Sequence, residues 1–152
     1  MPGPWSAITR RTRLWAARHD AYWAGLALRP GCQTFSTDVC VPISRLAECI
    51  AATKEDIAAA GLVAPIVGHV GDGNFHIAYL IDPAQPAQRA LAEQLNDQLV
   101  HHALSLEGTC TGEHGIGLHK VGYLKQEAGD KGIELMRRVK QALDPDGIFN
   151  PG

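Results

Sequence analysis

One nine-residue stretch constrains this chain more than any other: Gly68-His69-Val70-Gly71-Asp72-Gly73-Asn74-Phe75-His76. Asp-Gly between two apolar runs is the preferred core of a two-residue β-hairpin, because both turn residues need positive φ. With Asp72 and Gly73 at the tip, Gly71 pairs with Asn74, Val70 with Phe75 and His69 with His76. Directly opposed residues hold their Cβ atoms about 4.5–5.5 Å apart on one face. Two imidazoles so placed can share a metal ion. Val70, Phe75, Ile77 and Tyr79 then point to the other face, which reads as core.

Periodicity places the rest around that hairpin. Leu14, Ala17, Ala21 and Ala24 recur at helical spacing and predict a helix over 6–25, closed by Arg29-Pro30-Gly31. Residues 33–41 read as a strand ended by Pro42, and Ser44 is placed to cap a helix over about 43–60. Ile43, Leu46, Ile50 and Ile57 mark the apolar stripe of that helix, and Gly61 stops it. Strands over 63–70 and 75–81 flank the hairpin turn. A helix over 84–106 carries Leu91, Leu95, Leu99 and Leu104 on one side, and 109–113 reads as a short strand. Two short helices near 119–127 and 130–142 precede a turn at Asp144-Pro145-Asp146-Gly147. The central order is β-α-β-β-α-β. The fold class is therefore α+β, a ferredoxin-like split βαβ with an antiparallel sheet, helices on one face and additional C-terminal helices.

A third metal ligand has a candidate in Gly108-Thr109-Cys110-Thr111-Gly112-Glu113-His114-Gly115-Ile116-Gly117. Glycines crowd Glu113 and His114, which suits close approach of backbone to a ligand. On extended backbone the two side chains point opposite ways, Glu113 to a metal and His114 to a substrate. Two His and one carboxylate leave open positions on a divalent ion, as catalysis requires. The same residues also suit a hairpin with two ordinary histidines followed by a polar glycine loop. His101 and His102 fall in a long helix, and His19 and His119 have no evident partners. A phosphate loop is excluded, since neither Gly-Lys-Ser/Thr nor G-x-G-x-x-G after a strand is present.

Composition excludes several classes. With 152 residues and 45% hydrophobic, the chain can bury a core as one domain. Fourteen basic residues against 16 acidic ones give no basic face for nucleic acid. Apolar runs stay short of the 18 or so residues of a membrane span. Cys32, Cys40, Cys49 and Cys110 form no C-x-x-C pair and read as reduced, mostly buried thiols of a cytosolic-type compartment. Arg10, Arg11, Arg13 and Arg18 in an acid-poor start imitate a transit peptide, but helical spacing favours a helix there.

Three segments together carry a resemblance: Gly-His-Val-Gly-Asp-Gly-Asn-Phe-His at 68–76, Gly-Glu-His-Gly-Ile-Gly at 112–117, and Leu-Asp-Pro-Asp-Gly-Ile-Phe-Asn-Pro-Gly at 143–152. They resemble the C-terminal domain of FAD-linked oxidases, a family that includes D-lactate dehydrogenase, the D subunit of glycolate oxidase and D-2-hydroxyglutarate dehydrogenase. Thr37-Asp38-Val39-Cys40-Val41-Pro42 is most similar to the D-lactate dehydrogenases. The resemblance implies that His69, His76 and Glu113 hold a divalent metal, zinc or manganese, and that His114 is the general base. It implies Arg18 for the substrate carboxylate and Asn150 as a flavin contact. The cofactors implied are FAD and the metal.

By this resemblance, residues 1–152 are part of a substrate and metal domain, and the FAD-binding domain is expected to be absent. The implied reaction oxidises a small D-2-hydroxy acid to the 2-oxo acid with hydride transfer to FAD. Hydroxyglutarate relatives have a Lys at the position of Ser36 and an Asn at that of Ala78, so a second substrate carboxylate is not expected. The implied partners are the substrate, the flavin domain and a second copy of the chain. The implied setting is cytoplasmic, mitochondrial in a eukaryote, or peripheral to an inner membrane. A metal-dependent hydrolase and a non-catalytic structural module are the alternatives.

Overall fold

The computed structural model describes residues 4–151, with side chains from Thr12 onward. The side chains of Arg10 and Arg11, and Gly152 at the end of the third motif, lie outside the described residues. The elements in chain order are α1 (Pro4–Ala27), β1 (Gln33–Ser36), β2 (Val39–Cys40), a 3₁₀ turn (Ile43–Arg45), α2 (Leu46–Ala60), β3 (Ile66–His69), β4 (Asn74–Ile81), α3 (Pro86–Ser105) and α4 (Val121–Leu143).

β4 is the spine of the sheet. On one edge β1 and β2 form a single antiparallel run in one register, with Gln33 opposite Ile81 and Val39 opposite Phe75. On the other edge β3 pairs Ile66 with Ile77 and His69 with Asn74. The expected strand at 109–113 contracts to one antiparallel bridge, in which Thr109 donates to the Cys40 carbonyl at 2.7 Å. The spatial order, with Thr109 outermost, then β1/β2, β4 and β3, is that of a split βαβ unit.

Alternation along β4 separates two faces. Phe75, Ile77 and Tyr79 are at most 1% exposed and pack with Val39, Cys49, Leu95, Leu99 and Val100 beneath α2 and α3. Fully burying each such side chain contributes about 1.5–3 kcal/mol. Of the leucine stripe of α3, Leu95 and Leu99 are buried, and Leu91 and Leu104 pack against the core half-buried. Ile43 and Val70 do not join the core. Ile43 sits in the exposed 3₁₀ turn, and Val70 is 65% exposed because β3 ends one residue earlier. Ser44 makes no cap, since Arg45 takes the N-cap position of α2. Gly61 closes α2 at φ 67, as expected.

The opposite face of the sheet is crossed by α1, which forms over the expected residues. Its residues Arg18, Ala21, Tyr22, Gly25 and Leu26 line a cavity together with Thr34, Ser36, His76, Ala78 and Leu80 of the sheet. Leu14, Ala17 and Ala24 remain exposed. Arg29 ties the end of α1 down by donating to the Leu80 carbonyl at 3.0 Å and to Gln88 at 2.9 Å. The two C-terminal helices appear as α4, broken at Gly129, whose φ of 66 is left-handed. All four cysteines are free, with Cys49 and Cys110 buried.

Candidate metal and substrate site

The hairpin register differs from the two-residue turn that Asp-Gly predicts. Residues 70–73 form a four-residue connection in which Asp72 N–H donates to the His69 carbonyl at 2.8 Å and Gly73 takes φ 76. His69 therefore lies opposite Asn74, and His76 opposite Val67. The slip is two residues, and the side-chain period of a strand is two, so the histidines keep the same face. They become diagonal neighbours, still within reach across a strand pair. Their ring centroids are 5.8 Å apart at right angles. A Cβ on Gly73 would sit 2.0 Å from the Val41 carbonyl oxygen, so the loop backbone lies against the residue that follows β2 and only Gly fits there.

Glu113 reaches this pair from the glycine-rich segment. Its Oε1 lies 3.4 Å from His69 Nε2 and 3.2 Å from His76 Nε2. One ligand atom from each of the three residues falls within 4.8 Å of the others. His114 does not turn away as an extended backbone would require. Its ring stacks on His76 at 5.3 Å, with Nε2 3.7 Å from Glu113 Oε1. Arg18 is brought to the same place: its Nη2 lies 2.8 Å from His69 Nδ1, and its guanidinium rests over Trp15 at 5.7 Å. Asn150 is not brought there. It stands exposed at φ 47 on a tail held by Asp144, whose carboxylate accepts from the Ile148 and Phe149 N–H groups. His101 donates Nδ1–H to the Asp97 carbonyl on α3, in a structural contact.

The cavity over these residues has a volume of about 500 Å³. His69, His76, Glu113, His114 and Arg18 line one part of it, and Tyr22, Leu26, Pro65 and Leu80 contribute apolar wall. Ser36 and Ala78 are direct cross-strand partners on this face.

Sequence reasoning missed the residues that hold the site together. The ladder breaks at Thr37-Asp38, where Ile77 N–H bonds the Thr37 hydroxyl at 2.9 Å rather than its carbonyl. The Thr37 carbonyl is left 3.2 Å from His76 Nδ1. A carbonyl only accepts, so Nδ1 donates to it and Nε2 is turned to the Glu113 side. Asp38, 2% exposed, is buried beside it. Burial alone would raise its carboxyl, but the His114 N–H, the Asn74 amide, the Thr111 hydroxyl and the Lys120 charge outweigh it and hold the group well below the usual carboxylate range. The available signal was an acid inside an apolar strand, where Asp is disfavoured.

The model of the FAD linked oxidases, C-terminal domain, matches residues 6–152. The chain belongs to that family. This FAD-linked oxidase domain is 51% identical over 142 residues to a probable mitochondrial D-lactate dehydrogenase of Danio rerio, covering 93% of the chain and 29% of the relative. It is 47% identical to a mitochondrial D-lactate dehydrogenase [cytochrome] of Arabidopsis thaliana, covering 93% and 25%. It is 32% identical to glycolate oxidase subunit GlcD of Escherichia coli, covering 93% and 28%. The domain thus spans between 25% and 29% of the length of these relatives.

Proposed function

We propose that this domain is the metal- and substrate-binding part of a flavin-dependent D-2-hydroxyacid dehydrogenase of the D-lactate or glycolate type. One observation carries the reading: His69, His76 and Glu113 offer three converging ligand atoms in a cavity that also holds Arg18 and His114. Two imidazoles and a carboxylate fit a divalent ion, zinc or manganese, and leave positions for a bidentate substrate. When bound, the ion supplies Lewis-acid polarisation of the hydroxyl and carboxylate, and the flavin supplies the hydride acceptor.

The chain's own residues do the rest. Arg18 fixes the substrate carboxylate with its paired N–H groups. His114 takes the hydroxyl proton at an imidazole nitrogen. His76 is held in one tautomer by the Thr37 carbonyl. With the proton on His114 and the hydride gone from the α-carbon, the substrate becomes a 2-oxo acid.

The pyrophosphate of FAD calls for a backbone cradle that the motifs of this chain do not supply. The reading therefore assigns FAD to a separate flavin domain, with Asn150 as a contact at the boundary. Leu135, Met136, Val139 and Leu143 are exposed on α4 at helical spacing, and Ile148 and Phe149 extend them. This apolar surface suits the flavin domain, and in its absence would favour self-association. The names of the Danio rerio and Arabidopsis thaliana relatives support a mitochondrial setting. No described helix is long and apolar enough to cross a membrane.

Titration of the purified chain with zinc or manganese tests the reading. One ion per chain is expected, with affinity at least about tenfold weaker, or 1.4 kcal/mol, in His76→Ala. An unchanged affinity in that variant would sink the ligand assignment. In parallel, the chain incubated with FAD should retain no stoichiometric flavin absorbance and reduce no dye with D-lactate.

A further inference from the structure

One carboxylate connects the two halves of the metal site without touching the cavity. Asp38 Oδ2 accepts from three consecutive backbone N–H groups, those of Gly112 at 3.0 Å, Glu113 at 3.2 Å and His114 at 3.0 Å. The same oxygen accepts from the Thr111 hydroxyl at 2.9 Å and lies 3.5 Å from Lys120 Nζ. Lys120 also donates to the Asp38 backbone carbonyl at 2.8 Å. Asp38 Oδ1 accepts from Asn74 Nδ2 at 2.8 Å, and Asn74 is the β4 residue paired with His69. His76 Nδ1 lies 3.6 Å from the same oxygen.

Among the described residues the segment 111–118 has no ladder of its own, and the nearest backbone pairing is the bridge at Thr109. Its backbone donors must be satisfied elsewhere when buried. Successive N–H groups curled about an anion form such a partnership. Packing leaves no slack in it: a Cβ on Gly112 would lie 1.7 Å from Asn74 Nδ2 and 2.8 Å from Asp38 Oδ1.

We propose that Asp38 is the positioning residue of this site, a buried carboxylate that docks the Glu113-His114 loop onto β4 and so assembles the three metal ligands. It acts through backbone amides and Asn74 and touches neither substrate nor metal. The statement about metal rests on the function proposed above; the statement about the loop does not.

Two measurements on Asp38→Asn separate these. Asn keeps the volume but offers one acceptor oxygen where the carboxylate uses two, and sets an NH₂ against a donor. Amide hydrogen exchange should accelerate at Gly112, Glu113 and His114 by at least about tenfold, beyond any change in β4 or α3. Affinity for zinc alone, by calorimetry, should fall at least about tenfold. Leu99→Ala serves as the control: it lowers global stability, so its exchange should quicken throughout and zinc affinity should hold. If Asp38→Asn does not fold, Thr111→Val, which removes one donor to the same oxygen, should show the same selective pattern at smaller amplitude. Loop exchange and zinc affinity within twofold of the parent in the folded variant would overturn the proposal. Should the parent bind no zinc, the metal reading fails, and loop exchange alone decides the role of Asp38.

Discussion

His76 Nε2 lies 3.2 Å from Glu113 Oε1 while its Nδ1 faces the Thr37 carbonyl at 3.2 Å. One imidazole thus spans the gap between a broken strand and a glycine-rich loop, and each nitrogen has a separate task. Nδ1 donates to the carbonyl, and Nε2 faces the carboxylate. As an ion pair at the surface such a contact contributes only about 0–1 kcal/mol.

Gly112 is the tightest point of that arrangement. Gly112→Ala should drive the loop off Asn74, because its Cβ would fall 1.7 Å from Nδ2. Overpacking of this kind costs about 1–3 kcal/mol. Metal titration should show weaker binding than in the parent, and thermal unfolding should show a lower Tm. Retention of both would mean that the loop does not sit where it is described.

The proposed substrate preference rests on Ser36 and Ala78, directly opposed on the cavity face. Neither offers a distal carboxylate the charge of a Lys or the amide of an Asn. In a chimaera joining this domain to the flavin domain of a D-lactate relative, kcat/KM for D-lactate should exceed that for D-2-hydroxyglutarate. A preference for the diacid above about tenfold, worth about 1.4 kcal/mol, would refute this.

The core offers a check on the fold itself. Leu99 is 3% exposed between α3 and the sheet. Leu99→Ala should cost about 2–5 kcal/mol by lost transfer energy and a residual cavity. For a domain of this size that is a Tm lower by roughly 10 °C, read by calorimetry.

Alkaline pH should weaken the fold through two thiols. Burial, with Glu48 nearby, pushes Cys49 up to about 11, and burial with Glu127 pushes Cys110 up to about 12. Both groups ionise in the unfolded chain near the ordinary thiol value, so above it the folded state holds more protons than the unfolded one. The stability they share is complete below pH 9 or so and is lost as pH rises towards 11–12. Thermal unfolding across this window should show a falling Tm, and Cys110→Ala should flatten the slope. An unaltered slope would remove Cys110 from the account.

The sequence by itself determined the alternation that sends Phe75, Ile77 and Tyr79 inward and His76 and Ala78 outward. It also determined the helices, because apolar spacing and glycine stops are local signals. The two histidines share a face by parity alone, which is why an error of two residues in hairpin register left the pair intact. The tertiary structure decided what local signals cannot encode. The hairpin closes with a four-residue turn in place of the two-residue turn that Asp-Gly favours, and Val41 N–H donates to the Gly73 carbonyl at 3.0 Å. Asp38 gathered the amides of residues 112–114, 74 and more positions along the chain, onto one buried carboxylate. That contact turned a segment with no ladder of its own into the arm that delivers Glu113. A buried anion needs donors from wherever the fold supplies them, and their distance along the chain leaves no periodic trace in the sequence.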